Sequence, residues 1–461
     1  FRIEAGPRGT AGIARLTNDR ETGTIGQNPR EVTPMKLKVT TLALTALMAA
    51  GPVMADLVFP SMSYRTGPFA AGGIPFADGY ADYFTLLNER DGGIGGEKIS
   101  VPECETGYNT EKGVECYESL KALKPLVLQP LSTGITYQII PKSIVDDIPV
   151  HTMGYGRTSA KNGAVFSHTF NYPANYWDGA SGVVNYLLEI NGGDISGKKL
   201  ALVYHNSAYG KEPIRTLEAL SAKHGFELML LPVDSPGQEQ KSQWLQIRRD
   251  KPDYVTMWGW GVMNQVAIQE AANIRFPMEN FIGVWWAGAQ HDVLPAGEAA
   301  NGYKAITFHA VGKDYPVFAD IQKYVVDAGK AAGAGDQIGT VLYNRGVYAA
   351  MLAAEAAKDA QAANGVTAIT GAMMRDAMEN LNITEERMTA LGMPNFGPAF
   401  QVSCENHGGS GLVGVAQWDA AAQEWSLVSE FKQSDQDVIA PLIEEDSAAF
   451  AAENNITPQC N

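Results

Sequence analysis

The groups on this chain best suited to proton transfer or metal binding are badly spaced for either. Its seven histidines, His151, His168, His205, His224, His291, His309 and His407, show no H-x-x-x-H or H-E-x-x-H pattern, so catalytic zinc has no support. Ser132 and Ser207 lack the G-x-S-x-G frame that lifts a nucleophile onto a sharp strand-to-helix turn. The run GGIGGEK (92–98) has the composition of a phosphate loop, but it follows a helical pattern and enters a strand. That is the reverse of the order a nucleotide site needs, and the run reads as a turn. No catalytic residue, metal or cofactor is expected.

What remains is aromatic. Trp258 and Trp260 in MWGWG (257–261), with Trp285 and Trp286 in GVWWAG (283–288), fall at the C-terminal ends of two predicted strands. That edge of an open α/β sheet is where ligands bind. The glycines let the backbone approach a small molecule, and the indoles offer it an apolar wall. Packing in the core or between lobes is the competing use of each tryptophan.

The elements that must position these residues follow from periodicity. Short apolar runs alternate with amphipathic helical patterns, as in parallel sheets covered by helices on both faces. A first series has a strand at 56–61, a helix at 72–91 with Phe76, Tyr80, Phe84 and Leu87 on one face, a strand at 98–101, a helix at 110–123 and a strand at 126–129. A second runs through strand 199–205, helix 210–224, strand 226–232, helix 238–250, strand 254–260, helix 263–274 and strand 281–286. A strand at 303–310 and helices near 316–330, 338–361 and 366–380 follow. Two such series predict an α/β fold of two Rossmann-like, doubly wound lobes, and the 406 residues that follow residue 55 of 461 exceed what one core usually fills.

The stretch 35–55, MKLKVTTLALTALMAAGPVMA, has two lysines, a short apolar run and a small-x-small end, the pattern of a secretory signal peptide with cleavage expected after Ala55. Residues 1–34, rich in Gly, Arg and Thr without apolar periodicity, read as an upstream extension that is not part of the working protein. No later stretch of about 18 apolar residues follows, so a soluble periplasmic protein is expected. Acidic residues outnumber basic ones 51 to 35, a net charge of −16, which argues against a nucleic-acid partner. In an oxidising compartment the even cysteine count reads as disulfides, Cys104 with Cys116 as the local pair and Cys404 with Cys460 tying down the C-terminus. The close C-x-x-C pairs of a zinc site are missing.

The chain resembles a known family, the periplasmic binding proteins of branched-chain amino acid type ABC importers. The resemblance spans 56–461 and rests on the order and spacing of several pieces. These are TGPFAAGG (66–73) with NERDGGIGGEKI (88–99), LQPLSTGITYQIIP (128–141), DIPVHTMGYG (147–156), HTFNYPANYWDGA (168–180), LALVYHNSAYGK (200–211), PDYVTMWGWG (252–261) and FIGVWWAG (281–288). It implies a type I periplasmic binding fold, two lobes joined by three crossing strands near 170–173, 305–310 and 400–403, with ligand in the cleft between them. Lobe 1 would be 56–170 plus 311–399, lobe 2 171–310 plus 400–461. It further implies a monomer that is no enzyme, with a small-molecule ligand and permease subunits as partners, meeting the membrane only through the permease. A sensory module or an enzyme on the same fold stay open as alternatives.

The resemblance also marks residues. Its carboxylate-binding loop matches Ser132, Thr133 and Gly134, with a helix N-terminus behind it that favours an anion. The next loop carries Tyr155 and Arg157, Tyr172 and Tyr176 match the crossing segment, and Tyr209 matches a tyrosine of the second-lobe wall. Where amino-acid-binding members place an acid for the ligand ammonium, this chain has Trp285 and Trp286, with the nearest acid at Asp292. Burying an ammonium unpaired is costly. Arg345 stands where many members have an acid, and Arg65 and Arg157 lie on loops expected to face the cleft. An arginine grips a carboxylate with two parallel hydrogen bonds. The expected ligand is therefore a small carboxylate with an apolar or aromatic body, with a branched-chain or other amino acid as the alternative.

Overall fold

The computed structural model describes residues 56–460; the expected upstream extension and signal peptide lie outside the described residues. Two sheets organise the chain. In the first, short parallel strands pair Leu57–Val58 with Ile99–Ser100, Ser61–Ser63 with Glu103–Glu105, and Val150–His151 with Thr169–Phe170. Parallel bridges from Ser61 to Gln129 and from Leu128 to Val150 join these pairs into one layer. Pro60 and Pro102 lack the N–H a ladder needs, and the first two strands break there.

The second sheet runs, in spatial order, Glu227–Val233, Lys199–His205, Tyr254–Trp258, Phe281–Gly283 and Lys304–Thr307, all parallel. Two antiparallel strands, Leu412–Asp419 and Glu424–Leu427, complete that edge. The sequence reading had no elements here. It also lacked the helix Gln436–Asn454, which packs on the turn Thr158–Lys161 and the helix Ile214–His224, with Phe450 stacked on Phe166 at 4.6 Å. Two strands are shorter than expected. The third parallel strand ends at Trp258, leaving Trp260 in the loop, and the fourth ends at Gly283, so that Trp285–Ala287 form a 3-10 turn.

The helix Val341–Asn364 returns from the second sheet to pack on the helix Ala70–Leu86. Its alanines favour helix, and it is buried on nearly every side, as its lack of a polar face requires. The two backbones touch at two glycines. A Cβ on Gly79 would overlap the Tyr343 carbonyl oxygen, and one on Gly346 the Phe76 carbonyl oxygen. Each glycine costs about 1 kcal/mol against alanine in a helix interior, which the close packing of both helices offsets. Gly346→Ala would push them apart.

The chain passes between the sheets three times, and the passages are tied together. Asn171 N–H donates to His407 O at 3.1 Å, and Ala310 N–H donates to Phe396 O at 2.5 Å. Both expected disulfides are formed, with Cα separations of 5.7 Å for Cys104–Cys116 and 5.6 Å for Cys404–Cys460.

Candidate functional site

Six strand ends converge on one small cavity. Tyr64 follows Ser61–Ser63, Leu131 to Thr133 follow the bridge at Leu128–Gln129, and Tyr155 follows Val150–His151; Tyr209, Trp260 and Trp286 follow three parallel strands of the second sheet. Tyr108 and Tyr176 complete the wall. Five tyrosines, two tryptophans, a leucine, a serine and a threonine thus enclose the space, and none of the ten carries a charge at neutral pH. Burial pushes the Tyr64, Tyr155, Tyr176 and Tyr209 hydroxyls well above the usual phenol range, so they stay protonated and able to donate.

The loop that presents Ser132 and Thr133 is held in an uncommon conformation. Leu131 has φ +42°, a left-handed backbone that a leucine adopts only under constraint. The constraint is Tyr155, whose hydroxyl accepts the Leu131 N–H at 2.9 Å and donates to His151 O at 3.1 Å. Ser132 caps the helix Thr133–Asp146, its Oγ accepting from Ile135 N–H, and Thr133 Oγ1 accepts from Gly156 N–H at 3.2 Å. The positive end of that helix therefore points at the cavity. Gly134 sits just outside, on a wider opening that shares Tyr108, Ser132 and Tyr209 with the cavity.

The tandem tryptophans divide their work. Trp286 lines the cavity, while Trp285 lies behind it, stacked parallel to Tyr176 at 5.8 Å and packed on Phe308. Both indole N–H groups donate to one acceptor, Gly154 O, at 2.7 and 2.8 Å. Gly154 has φ +70°, and a Cβ there would stand 2.6 Å from Phe308 and 2.9 Å from Trp285 Nε1, so only glycine fits.

Arg345 lies behind Trp286. Its guanidinium carbon is 4.8 Å from the Trp286 ring centroid, Nη1 donates to Trp285 O at 2.7 Å and Nε to His309 Nε2 at 3.0 Å, and Nη2 has no partner. His309 accepts that bond as the neutral tautomer, its Nδ1–H given to Ala310 O, and burial beside the cation holds its pKa well below the usual range. No carboxylate lies within 4 Å of Arg345 among the described residues, and burial pulls its pKa down to about 9.

Several sequence expectations need correction. Arg65 does not reach the cavity, because Asp78 and Glu103 bind it at 2.6 Å each. Arg157 is taken by Asp446 at 2.7 Å and by the rings of Tyr137, Phe166 and Phe450. Tyr172 packs between His151 and Phe400 near the crossing segments. Trp258 is a core residue beneath the cavity floor, since it is the last residue inside its strand. Asp292 caps Ala289 N–H and accepts from Asn264, leaving it no role in the cavity wall. Tyr64, Tyr108 and Leu131 line the cavity unforeseen; Tyr64 had a readable signal, since it directly follows the first strand.

A periplasmic binding protein family model matches residues 59–423. The chain belongs to the periplasmic binding protein family. This binding protein is 40% identical to a crystal structure described as an ABC transporter permease from the Pseudomonas fluorescens group, over 88% of this chain and 100% of that one, with a TM-score of 0.81. It shares its two-lobed fold with a Thermus thermophilus branched-chain amino acid ABC transporter protein with bound valine (19% identity, 83% and 98% covered, TM-score 0.70). The same fold recurs in an R. palustris ABC transporter solute-binding protein in complex with benzoate (17% identity, 82% and 98% covered, TM-score 0.64). A search of curated proteins returned no match.

Proposed function

We propose that this is the periplasmic substrate-binding component of an ABC importer, which captures a small carboxylate with an apolar or aromatic body by hinge closure and delivers it to membrane permease subunits. Lobe 1 is read as 56–170 plus 311–399 and lobe 2 as 171–310 plus 400–461. The contacts read as ligand-bearing are Ser132, Thr133, Tyr155, Tyr176, Tyr209, Trp260 and Trp286, joined by Tyr64, Tyr108 and Leu131. No step of covalent chemistry is assigned to them.

One observation carries the ligand class: an uncharged aromatic cavity has a helix N-terminus at one wall and a buried, carboxylate-free arginine one indole behind another. Rings alone would also suit a quaternary ammonium. Arg345 argues against one, because its charge already sits on the Trp286 ring and repels a second cation. A free amino acid, as in the valine-bound relative, would bury its ammonium beside seven aromatic rings with no acid in the wall. The benzoate-bound relative shows that a lobed protein of this fold accommodates an aromatic acid.

A thermal-shift screen of the purified protein against amino acids, aromatic acids and short-chain acids tests the reading. A ligand at 100 times its Kd adds about 2.7 kcal/mol of stability. Stabilisation by amino acids and by no simple carboxylate would refute it. Uptake assays with the cognate permease then separate import from sensing.

A further inference from the structure

The cavity contains a donor with nothing to donate to. Trp260 is 3% exposed, lines the cavity, and its indole Nε1–H has no hydrogen-bond partner. Three of its neighbours are already engaged: Trp286 Nε1–H with Gly154 O, the Tyr209 hydroxyl with Gly259 O, and the Tyr155 hydroxyl with Leu131 N–H and His151 O. The Tyr64 hydroxyl lies near the Trp260 N–H and is stabilised by it, but without the geometry of a hydrogen bond. Unpaired indoles also occur at Trp258 and Trp425, but neither borders the cavity. A buried N–H left unpaired costs about 1–3 kcal/mol, and folded proteins keep few.

The indole is also held in place. A Cβ on Gly72 would run into the six-membered ring of Trp260, so that glycine lets the helix Ala70–Leu86 press directly on the ring edge. Tyr64 meets the ring edge-on at 6.2 Å and Trp286 at 5.3 Å. Ser132 and Thr133 enter the cavity on a different loop, beside Tyr155 and Tyr176. The unpaired donor is thus a polar position separate from the Ser132–Thr133 loop.

We infer that the ligand carries, besides its carboxylate, a second oxygen acceptor, a hydroxyl, oxo or ether oxygen, which takes the Trp260 Nε1–H bond. This rests on the carboxylate reading above and narrows it. An indole N–H donates only, so it selects an acceptor and does nothing for an ammonium. A site built to bond a polar group discriminates strongly against the analogue that lacks it, because the site's own group is then left unpaired.

Titration calorimetry on the purified protein with matched acids tests this: benzoate against its three monohydroxy derivatives, phenylacetate against mandelate, and isovalerate against 2-oxoisovalerate. At least one oxygenated acid should bind about tenfold or more tighter than its parent, as one satisfied buried donor implies. In Trp260→Phe that preference should shrink to within about threefold whatever the absolute affinity of the parent acid becomes, and Trp258→Phe should keep it. Should Trp260→Phe fail to fold, the Nε1–H resonance of Trp260 in the wild type serves instead, moving downfield with the oxygenated acid and not with its parent. Equal binding of parent and oxygenated acids would overturn the inference and leave the carboxylate reading intact, as would a preference that survives Trp260→Phe or an unmoved Nε1–H resonance. Failure of every acid to bind would remove both.

Discussion

Arg345 stacks on Trp286 at 4.8 Å, which sets a fully buried cation one ring away from a cavity with no charge in its lining. On the proposed carboxylate reading, the pair is how the site favours an anion without an arginine touching it. A direct ion pair would need both charges desolvated together. Here the indole separates them, and the field acts through a medium of low polarity.

Replacing Arg345 should therefore weaken anion binding without removing a contact. At roughly 8 Å and an effective dielectric near 20, one charge contributes about 2 kcal/mol. Arg345→Met is expected to bind the best carboxylate roughly 30-fold more weakly, and Arg345→Lys to keep most of the affinity. The unliganded Met variant should be no less stable than the wild type, because a buried cation without a carboxylate partner is costly. Unchanged affinity in Arg345→Met would show that the field plays no part.

Gly154 joins the two halves of the site through both indole donors. Gly154→Ala should lower ligand affinity at least about tenfold, since its Cβ would strike Phe308 and Trp285 and its positive φ disfavours alanine. Far-UV circular dichroism of the unliganded variant should match the wild type. Loss of fold instead would make Gly154 a core residue and not a closure point.

Glu212 predicts a pH response. Burial pushes its carboxyl up to about 7, although Tyr137 and Thr158 donate to the charged form. The folded state then holds the proton more tightly than the unfolded one, whose glutamate titrates near 4.3. Stability should fall as pH rises from about 4.3 through about 7, by up to roughly 4 kcal/mol, and level off above. Melting temperatures of Glu212→Gln should lose that slope between pH 5 and 8; an identical slope in both proteins would assign the response elsewhere.

The disulfides predict a redox response. Cys104–Cys116 closes a separation of 12 residues and Cys404–Cys460 one of 56, so the second should contribute more in the chain-entropy model, about 4 kcal/mol against about 3. Cys404→Ser with Cys460→Ser should lower the melting temperature further than the Cys104–Cys116 double variant. Two free thiols in denatured, unreduced protein would contradict the pairing.

Local sequence determined the layers of this protein. Alternating short apolar runs and amphipathic stretches dictate parallel strands with covering helices, and strand-end loops rich in hydroxyls and rings mark where a ligand can sit. Trp260 and Trp286 were legible for that reason, while Ser132 and Thr133 were marked by the family resemblance. Tertiary structure decided which side chains were free to serve. Arg157 looks available until Asp446, 289 residues away, is brought against it, and Arg65 until Glu103 pairs beside it. Trp258 and Trp260 look equivalent in MWGWG, yet the strand ends between them and sends one into the core and the other to the cavity. Periodicity is a property of neighbours along the chain and can be read there. Charge neutralisation and cavity lining are properties of neighbours in space, which exist only once the chain has closed on itself.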